Sequence, residues 1–360
     1  MTKAIAIDLF CGVGGLTYGL RAAGIKVVAG VDSDATCQYA YETNNRESAF
    51  VHGDVADVKL MEELKELYAS ADIKILAGCA PCQPFSKHTQ KNKEREKDRK
   101  WSLLDYFLRA INMLNPDVIS MENVPQLAHQ SIFKNFENSL LNRQEKYFLT
   151  SDTYNCVDYG VPQSRNRLVL IGSKFGPIEM VDGGYKKNPQ FVRDAIGNLE
   201  PIQAGEISTI DRLHRCRKLS PINLQRIRQS KPGGTWRDWD EDLLAECHKR
   251  ESGRSYSSVY SRMLWDAPSP TITTQFHSYG TGRFGHPDTN QDRAISLREG
   301  ALLQSFPNNY AFFDPNLPDK KISMEKIGIH IGNAVPVKLA EAVGRSIMLH
   351  VNKHIIPEYE

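Results

Sequence analysis

Five short apolar runs constrain this chain more than any other feature: Ile5 to Leu9, Val27 to Val31, Ile73 to Ala77, Val118 to Met121 and Leu168 to Ile171. They are mostly unalternated, the pattern of strands buried on both faces, whereas a strand with one wet face alternates apolar and polar residues. Between the third and fourth runs, Leu103, Phe107, Ile111 and Leu114 recur at near-helical spacing, and Asn115-Pro116 stops that helix. Strands interleaved with helices predict an α/β fold built on a doubly wound, mostly parallel sheet. Ligands of such sheets bind outside the carboxyl ends of the strands, so the residues just after each run are the candidates for chemistry.

From Gly176 to about Asp292 the texture changes to glycine, proline, serine and arginine with weak periodicity, including KPGGTW and APSPT. A second, less regular domain is expected there. Beyond it, Leu339, Val343 and Ile347, with Pro336 near the start, predict a C-terminal helix that returns to the first domain. The expected division is 1–175 plus 325–360 for the first domain and 176–324 for the second, within a chain of 360 residues. No run approaches the roughly 18 apolar residues of a membrane helix, and MTKAIAIDLF lacks a signal-peptide layout, so a cytoplasmic location is expected. The seven cysteines are odd in number and scattered, which fits reduced thiols. Net charge is only +2, so any affinity for nucleic acid must come from local basic patches.

The segment DLFCGVGGLTYGL leads from the first strand into a helix, and Gly12, Gly14 and Gly15 permit a tight turn and close ligand approach. The spacing is not the pyrophosphate fingerprint of dinucleotide sites. Asp32 follows the second strand about 20 residues later, where ribose hydroxyls are usually held, and Asp54 follows a third strand, where an acceptor can take an adenine amino group. Helix N-caps for Asp32 or Asp34 and a turn at Gly53-Asp54 are the plainer readings. Together these residues favour an adenosyl cofactor without a diphosphate.

Cys82, in CAPCQPFS, follows the third apolar run and is positioned as a nucleophile, against the alternative of a buried inert thiol. Cys79 and Cys82 form a CxxC pair, which raises a thiol redox enzyme as a rival. Zinc is not expected, because a second pair or a histidine at ligand spacing is missing and His88 stands alone. VISMENVP ends another buried strand with Glu122, a carboxyl whose burial would favour a proton that it could then donate. Arg165 and Arg167, in QSRNR, precede the Leu168 run; they either solvate the surface or clamp an anion.

At this point the chain resembles the C5-cytosine methyltransferase family over nearly its whole length. DLFCGVGG, GVDSD, GDV, PCQPFS, MENVP, QSRNR, RAISLREGALLQSFP and IGNAVP occur in the family's order. Cys11, where alanine or serine is common, and QSRNR, where QRRER is frequent, are the departures. The resemblance implies a class I, S-adenosylmethionine-dependent enzyme that methylates C5 of a cytosine in double-stranded DNA. Cys82 would add to C6, Glu122 would protonate N3, and Arg165, with Arg167 nearby, would steady Glu122 and the base O2. Phe10, Gly12, Gly14, Asp32, Ser33, Asp54, Val55, Pro81, Leu103 and Asn333 would form the cofactor pocket, with Phe10 stacking on adenine. Domain 176–324 then becomes the target-recognition domain and hinge. The setting implied is bacterial restriction-modification: a monomer in the cytoplasm, at the nucleoid, with any cognate endonuclease acting separately. One branch of the family modifies tRNA and is the nearer rival.

A stacked cytosine hides C5 and C6, so the base must be flipped out. Lys87 to Lys100, with seven basic residues against three acidic, is too charged for a core and is expected to close over DNA, with Gln83 and Ser86 beside it. Base reading is expected within 176–292, where arginines are interleaved with Trp236, Trp239, Tyr256 and Tyr260. Thr273, in APSPTITT, would brace the flipped nucleotide by the same resemblance. Arg298-Glu299 is expected to serve a structural ion pair.

Overall fold

The computed structural model describes residues 3–80, 102–250, 253 and 257–355. The chain divides into two compact units, one of Met1–Tyr159, Asn166–Gly184 and Val335–Glu360, the other of Gly160–Arg165 and Tyr185–Ala334. The first unit is a seven-stranded sheet in the order β3-β2-β1-β4-β5-β7-β6. Its strands are β1 (Ala4–Leu9), β2 (Lys26–Asp32), β3 (Ala49–His52), β4 (Ile73–Gly78), β5 (Val118–Asn123), β6 (Phe148–Asn155) and β7 (Asn166–Ser173). The pairs β1–β2, β1–β4, β2–β3 and β4–β5 are parallel, while β7 runs antiparallel to both β5 and β6. Every residue of β1 and β5 is buried, which accounts for their unbroken apolar texture. All five apolar runs are strands. The edge strand β6, FLTSDTYN, is half-exposed and leaves no such run.

Helices α1 (Gly15–Ala22), α2 (Gln38–Asn44), α3 (Val58–Glu66), α4 (Ser102–Leu114) and α5 (Ser131–Leu141) follow successive strands. On α4 the buried stripe is Leu104, Phe107, Ala110, Ile111 and Leu114, so the predicted position Leu103 is half-buried at its margin. The helix stops where Asn115 turns left-handed (φ 46°) ahead of Pro116. The C-terminal helix Val337–Ile355 packs along α1, with Leu339, Val343 and Ile347 buried as predicted. A methyl group at Gly19 would stand 2.5 Å from the Val337 carbonyl, so that close approach requires glycine. Among the described residues no helix is long and apolar enough to cross a membrane.

The second unit has little regular structure, and arginines fasten it. Its boundaries differ from the expected 176–324 because Gly160–Arg165 bridges to Ser269 and the helix Met324–Asn333 packs on the helix Leu297–Leu303. Arg262, 1% exposed, donates to the carbonyls of Ser230, His286 and Gln291 and pairs with Asp292 at 2.6 Å. Arg298 and Glu299 each have a separate partner: Arg298 pairs with Asp211, and Glu299 takes two 2.7 Å hydrogen bonds from the buried Arg293. Burial raises the Glu299 carboxyl, but Arg293 and then His286 outweigh it and hold the group well below the usual range. Trp236 and Trp239 are buried beside Tyr260 and Tyr279, which makes them core rather than a base-reading surface.

Glu299→Gln would leave a buried guanidinium half-paired and should lower stability by about 3–5 kcal/mol, read as a shifted urea midpoint. The depressed carboxyl contributes stability that is complete above the ordinary glutamate range and lost as pH falls through its folded value. The gap between variant and wild type should therefore narrow in strong acid.

Candidate active site

The carboxyl ends of the central strands lie level, with Leu9 opposite Val31 and Gly78, and Gly78 opposite Met121. Because β7 is antiparallel, its first residues meet the last residues of β5, with Glu122 opposite Val169 and Asn123 opposite Leu168. This brings Arg167 onto Glu122: Nε stands 2.7 Å from Oε1, with side chains 12% and 8% exposed. Among the described residues Oε1 nonetheless has no hydrogen bond, so the contact is one of charge at an unfavourable N–H angle. The other oxygen, Oε2, accepts the Cys79 thiol at 2.9 Å. Asn123 donates to the Ala80 carbonyl at 3.0 Å and ties the end of β5 to the segment that follows β4. The guanidinium expected at Glu122 was that of Arg165; the described ion pair is Arg167's.

At the same carboxyl edge of the sheet, the turn after β1 is strained. Phe10 is half-buried with φ 60°, a conformation that costs a bulky residue about 1–3 kcal/mol and persists only when the surroundings enforce it. Two bonds do so here, from Cys11 N–H to the Val31 carbonyl and from Gly14 N–H to the Cys11 carbonyl. Gly12 (φ 51°) and Gly14 (φ 89°) take the left-handed turns, and a methyl group at Gly12 would meet nothing within 4 Å among the described residues. No described residue fills that side of the loop. Asp32 accepts Gly12 N–H (2.8 Å) on one oxygen and Asp34 N–H (2.9 Å) on the other. Asp34 caps the short helix at Ala35–Cys37, and exposed Asp54, followed by the buried Val55, accepts Ala56 N–H in a turn. Ser33 is exposed beside Asp32, and its carbonyl lies 3.1 Å from His52 Nε2.

Asp8 carries a signal the sequence reading passed over. It is fully buried in β1, takes the Thr17 hydroxyl at 2.7 Å and leaves Oδ1 without a partner among the described residues. Thr17 continues to Tyr41 (3.1 Å) and Tyr41 to Ser48 (2.7 Å), a buried hydroxyl chain beneath the glycine turn. Burial pushes the Asp8 carboxyl up to about 7, with the Thr17 bond opposing and the charge of Asp32 adding to the rise. An acid inside an otherwise apolar strand was the available clue.

Three further expected residues belong to the second unit. Arg165, 3% exposed, donates to the carbonyls of Ile272 (2.9 Å) and Gly332 (3.3 Å). A methyl group at Gly332, the residue before Asn333, would lie 2.5 Å from the Thr273–Thr274 backbone. Both Asn333 and Thr273 are exposed. Pro81, Cys82, Gln83, Ser86, the Lys87–Lys100 stretch and Tyr256 lie outside the described residues. At the opposite, amino edge of the sheet, a cavity of about 480 Å³ is bordered by Lys74, Asp117, Glu145 and Lys174. Lys174 pairs with Asp117 and Glu145 there, so its charges are already matched.

Comparison with known proteins agrees with this layout. The family model described as C-5 cytosine-specific DNA methylase matches residues 5–349. The chain is 49% identical over 345 residues to the Type II methylase M.HgiDII of Herpetosiphon aurantiacus, covering 95% of this chain and 94% of that protein. It is 28% identical to the Type II methyltransferase M.Eco47II of Escherichia coli, covering 96% and 79%. Among solved structures, a mutant DNMT2 of Spodoptera frugiperda is similar with a TM-score of 0.63 at 17% identity, covering 96% and 99%, and so supports the fold alone.

Asp8 keeps its proton to about pH 7 in the folded chain but loses it near pH 4 when unfolded. Its contribution to stability is full below about pH 4 and is lost as pH rises toward 7. Asp8→Asn should gain on wild type across that window, by on the order of a few kcal/mol in urea unfolding. Parallel curves for the two proteins would contradict this.

Proposed function

The chain belongs to the C-5 cytosine-specific DNA methylase family and is a DNA cytosine-5-methyltransferase, and from that premise we propose how its residues act. The reading is of a modification enzyme of the type II kind that methylates one cytosine within a short duplex sequence after flipping it from the stack. One observation carries it: Glu122 stands at the lip of β5 with Oε2 occupied by Cys79 and Oε1 in charge contact with Arg167 but not hydrogen-bonded by any described residue. That leaves an oriented carboxyl oxygen to meet the N3 edge of a base.

In the proposed sequence the Cys82 thiolate adds to C6, and the electron pair of the C5–C6 double bond moves into the ring. Glu122 delivers a proton to N3 and accepts from the N4 amino group. Arg167 holds Glu122, and Arg165, anchored on backbone carbonyls, donates to the base O2. Once C5 carries the new methyl group its proton passes to water, the C5–C6 double bond re-forms as the Cys82 thiolate leaves, and N3 returns its proton to Glu122. Free cysteine has a pKa of about 8.5, so the site has to favour the anion.

The cofactor in this reading is S-adenosylmethionine, which when bound supplies an electrophilic methyl group. The residues fit it. Phe10 is held in a strained turn suited to stacking on adenine, with the side of Gly12 that no described residue fills and the turn at Gly14 next to it. Asp32 has about four lone-pair sites and spends two on backbone amides, which leaves acceptors for ribose hydroxyls. Asp54 with Ser33, Val55 and Leu103 would line the adenine end, and Pro81 and Asn333 would complete the pocket. Gln83, Ser86 and Thr273 are assigned to the DNA, and any endonuclease partner would act separately.

Cys82→Ser should abolish methylation while calorimetric cofactor binding persists, and full turnover by that variant would exclude the mechanism. Cys79→Ala removes one hydrogen bond to Glu122 and should lower turnover only about two- to tenfold. Equal damage at both cysteines would favour the thiol redox reading instead. Bisulfite sequencing of DNA and tRNA from cells expressing the protein should show cytosines protected in a fixed DNA context. Protection confined to tRNA would overturn the substrate assignment.

A further inference from the structure

In the second unit arginine is the usual fastener. Arg193 pairs with Asp266, Arg212 and Arg215 with Asp319, Arg217 with Glu325, and Arg228 and Arg262 with Asp292. Arg293 and Arg298 are paired with Glu299 and Asp211. Arg283 departs from this pattern. It is half-buried, its Nε is shielded and has no hydrogen-bond partner, and no ion pair or ring contact reaches it among the described residues. A shielded N–H without an acceptor is costly, and a fold that tolerates it usually holds the group for something else.

The surroundings say what that is. Arg283 lines a groove of about 460 Å³ with Ser164, Leu264, Thr271, Thr273 and Thr281, and no carboxylate is among its described lining residues. Leu264 is 44% exposed, an apolar wall open to solvent. The backbone behind Arg283 is rigid. Phe284 is buried and its carbonyl accepts Ile295 N–H at 2.8 Å. Gly285 exchanges 2.9 Å hydrogen bonds with Ser261 and Met263, and His286 N–H reaches the Arg293 carbonyl at 2.9 Å. An unmatched guanidinium fork on a fixed ladder, beside an apolar wall, is complementary to the major-groove edge of a base pair. Guanine O6 and N7 match the fork, and a thymine methyl group would suit Leu264.

We propose that Arg283 reads a guanine of the recognition sequence from this groove of the second unit. The proposal rests on the DNA-methyltransferase reading above and adds to it a specificity-determining residue. Arginine is needed rather than any cation, because only its planar fork meets both acceptors.

Bisulfite sequencing of a randomised duplex library methylated by wild-type protein defines the site, and Arg283→Ala and Arg283→Lys are then compared on it. Both variants should lose about ten- to a hundredfold in kcat/KM on the wild-type site and relax the requirement at one guanine, leaving the other positions intact. Replacing that guanine by 7-deazaguanine should slow the wild-type protein, which tests the contact without any variant, and should not slow Arg283→Ala further. Uniform weakening with an unchanged site and a salt slope reduced by about one would mean a phosphate contact and overturn base reading. A lowered Tm with an unchanged site would mean a structural role and overturn it equally. So would wild-type activity indifferent to 7-deazaguanine at every guanine of the site. Wild-type protein that methylates no cytosine would sink the underlying activity, a result separable from all of these.

Discussion

A carboxylate at the end of a strand buried on both faces must be met by positive charge or by a donor, and Glu122 is met from both flanking strands. Cys79, just past β4, occupies one oxygen, and Arg167, at the start of β7, stands against the other. The second contact depends on strand direction. Were β7 parallel to β5, Arg167 would lie at the amino edge, some 20 Å away at about 3.3 Å per residue. The antiparallel strand is therefore what turns a costly buried acid into a held one.

The glycine turn solves a related problem at β1. Its backbone runs through two left-handed glycines and a left-handed phenylalanine, conformations that would relax without outside support. Asp32 supplies that support from β2 by taking Gly12 N–H, and Cys11 is tied back to Val31. The Asp8–Thr17–Tyr41–Ser48 chain underneath joins β1 to α1, α2 and the residue just before β3. The acid that shapes the loop is also the acid proposed to hold a ribose, so its geometry follows from the fold.

The second unit shows the opposite economy. With few helices and, among the described residues, only isolated bridges, it has little periodic backbone bonding, and buried arginines take over by gathering carbonyl groups that would otherwise be unsatisfied. Such a scaffold keeps its loops fixed without a sheet. It also makes an unfastened arginine conspicuous.

Much of the fold was legible in the sequence because strands buried on both faces leave unbroken apolar runs and helices leave a stripe. Both signals are local, and they located five strands, α4 and the C-terminal helix. The ordered motifs likewise pointed to the residue types at the strand ends, from Phe10 and Asp32 to Glu122. The edge strand β6 was silent because a half-exposed strand carries no such run. The tryptophans Trp236 and Trp239, set by composition among base readers, belong to a core that forms only when distant segments meet. Which arginine stands against Glu122, why Asp8 keeps a proton, and that the half-buried Arg283 meets no carboxylate among the described residues were decided by tertiary structure alone. Each depends on strand direction, burial or the position of a partner many residues away, and none of these leaves a periodic trace in the chain.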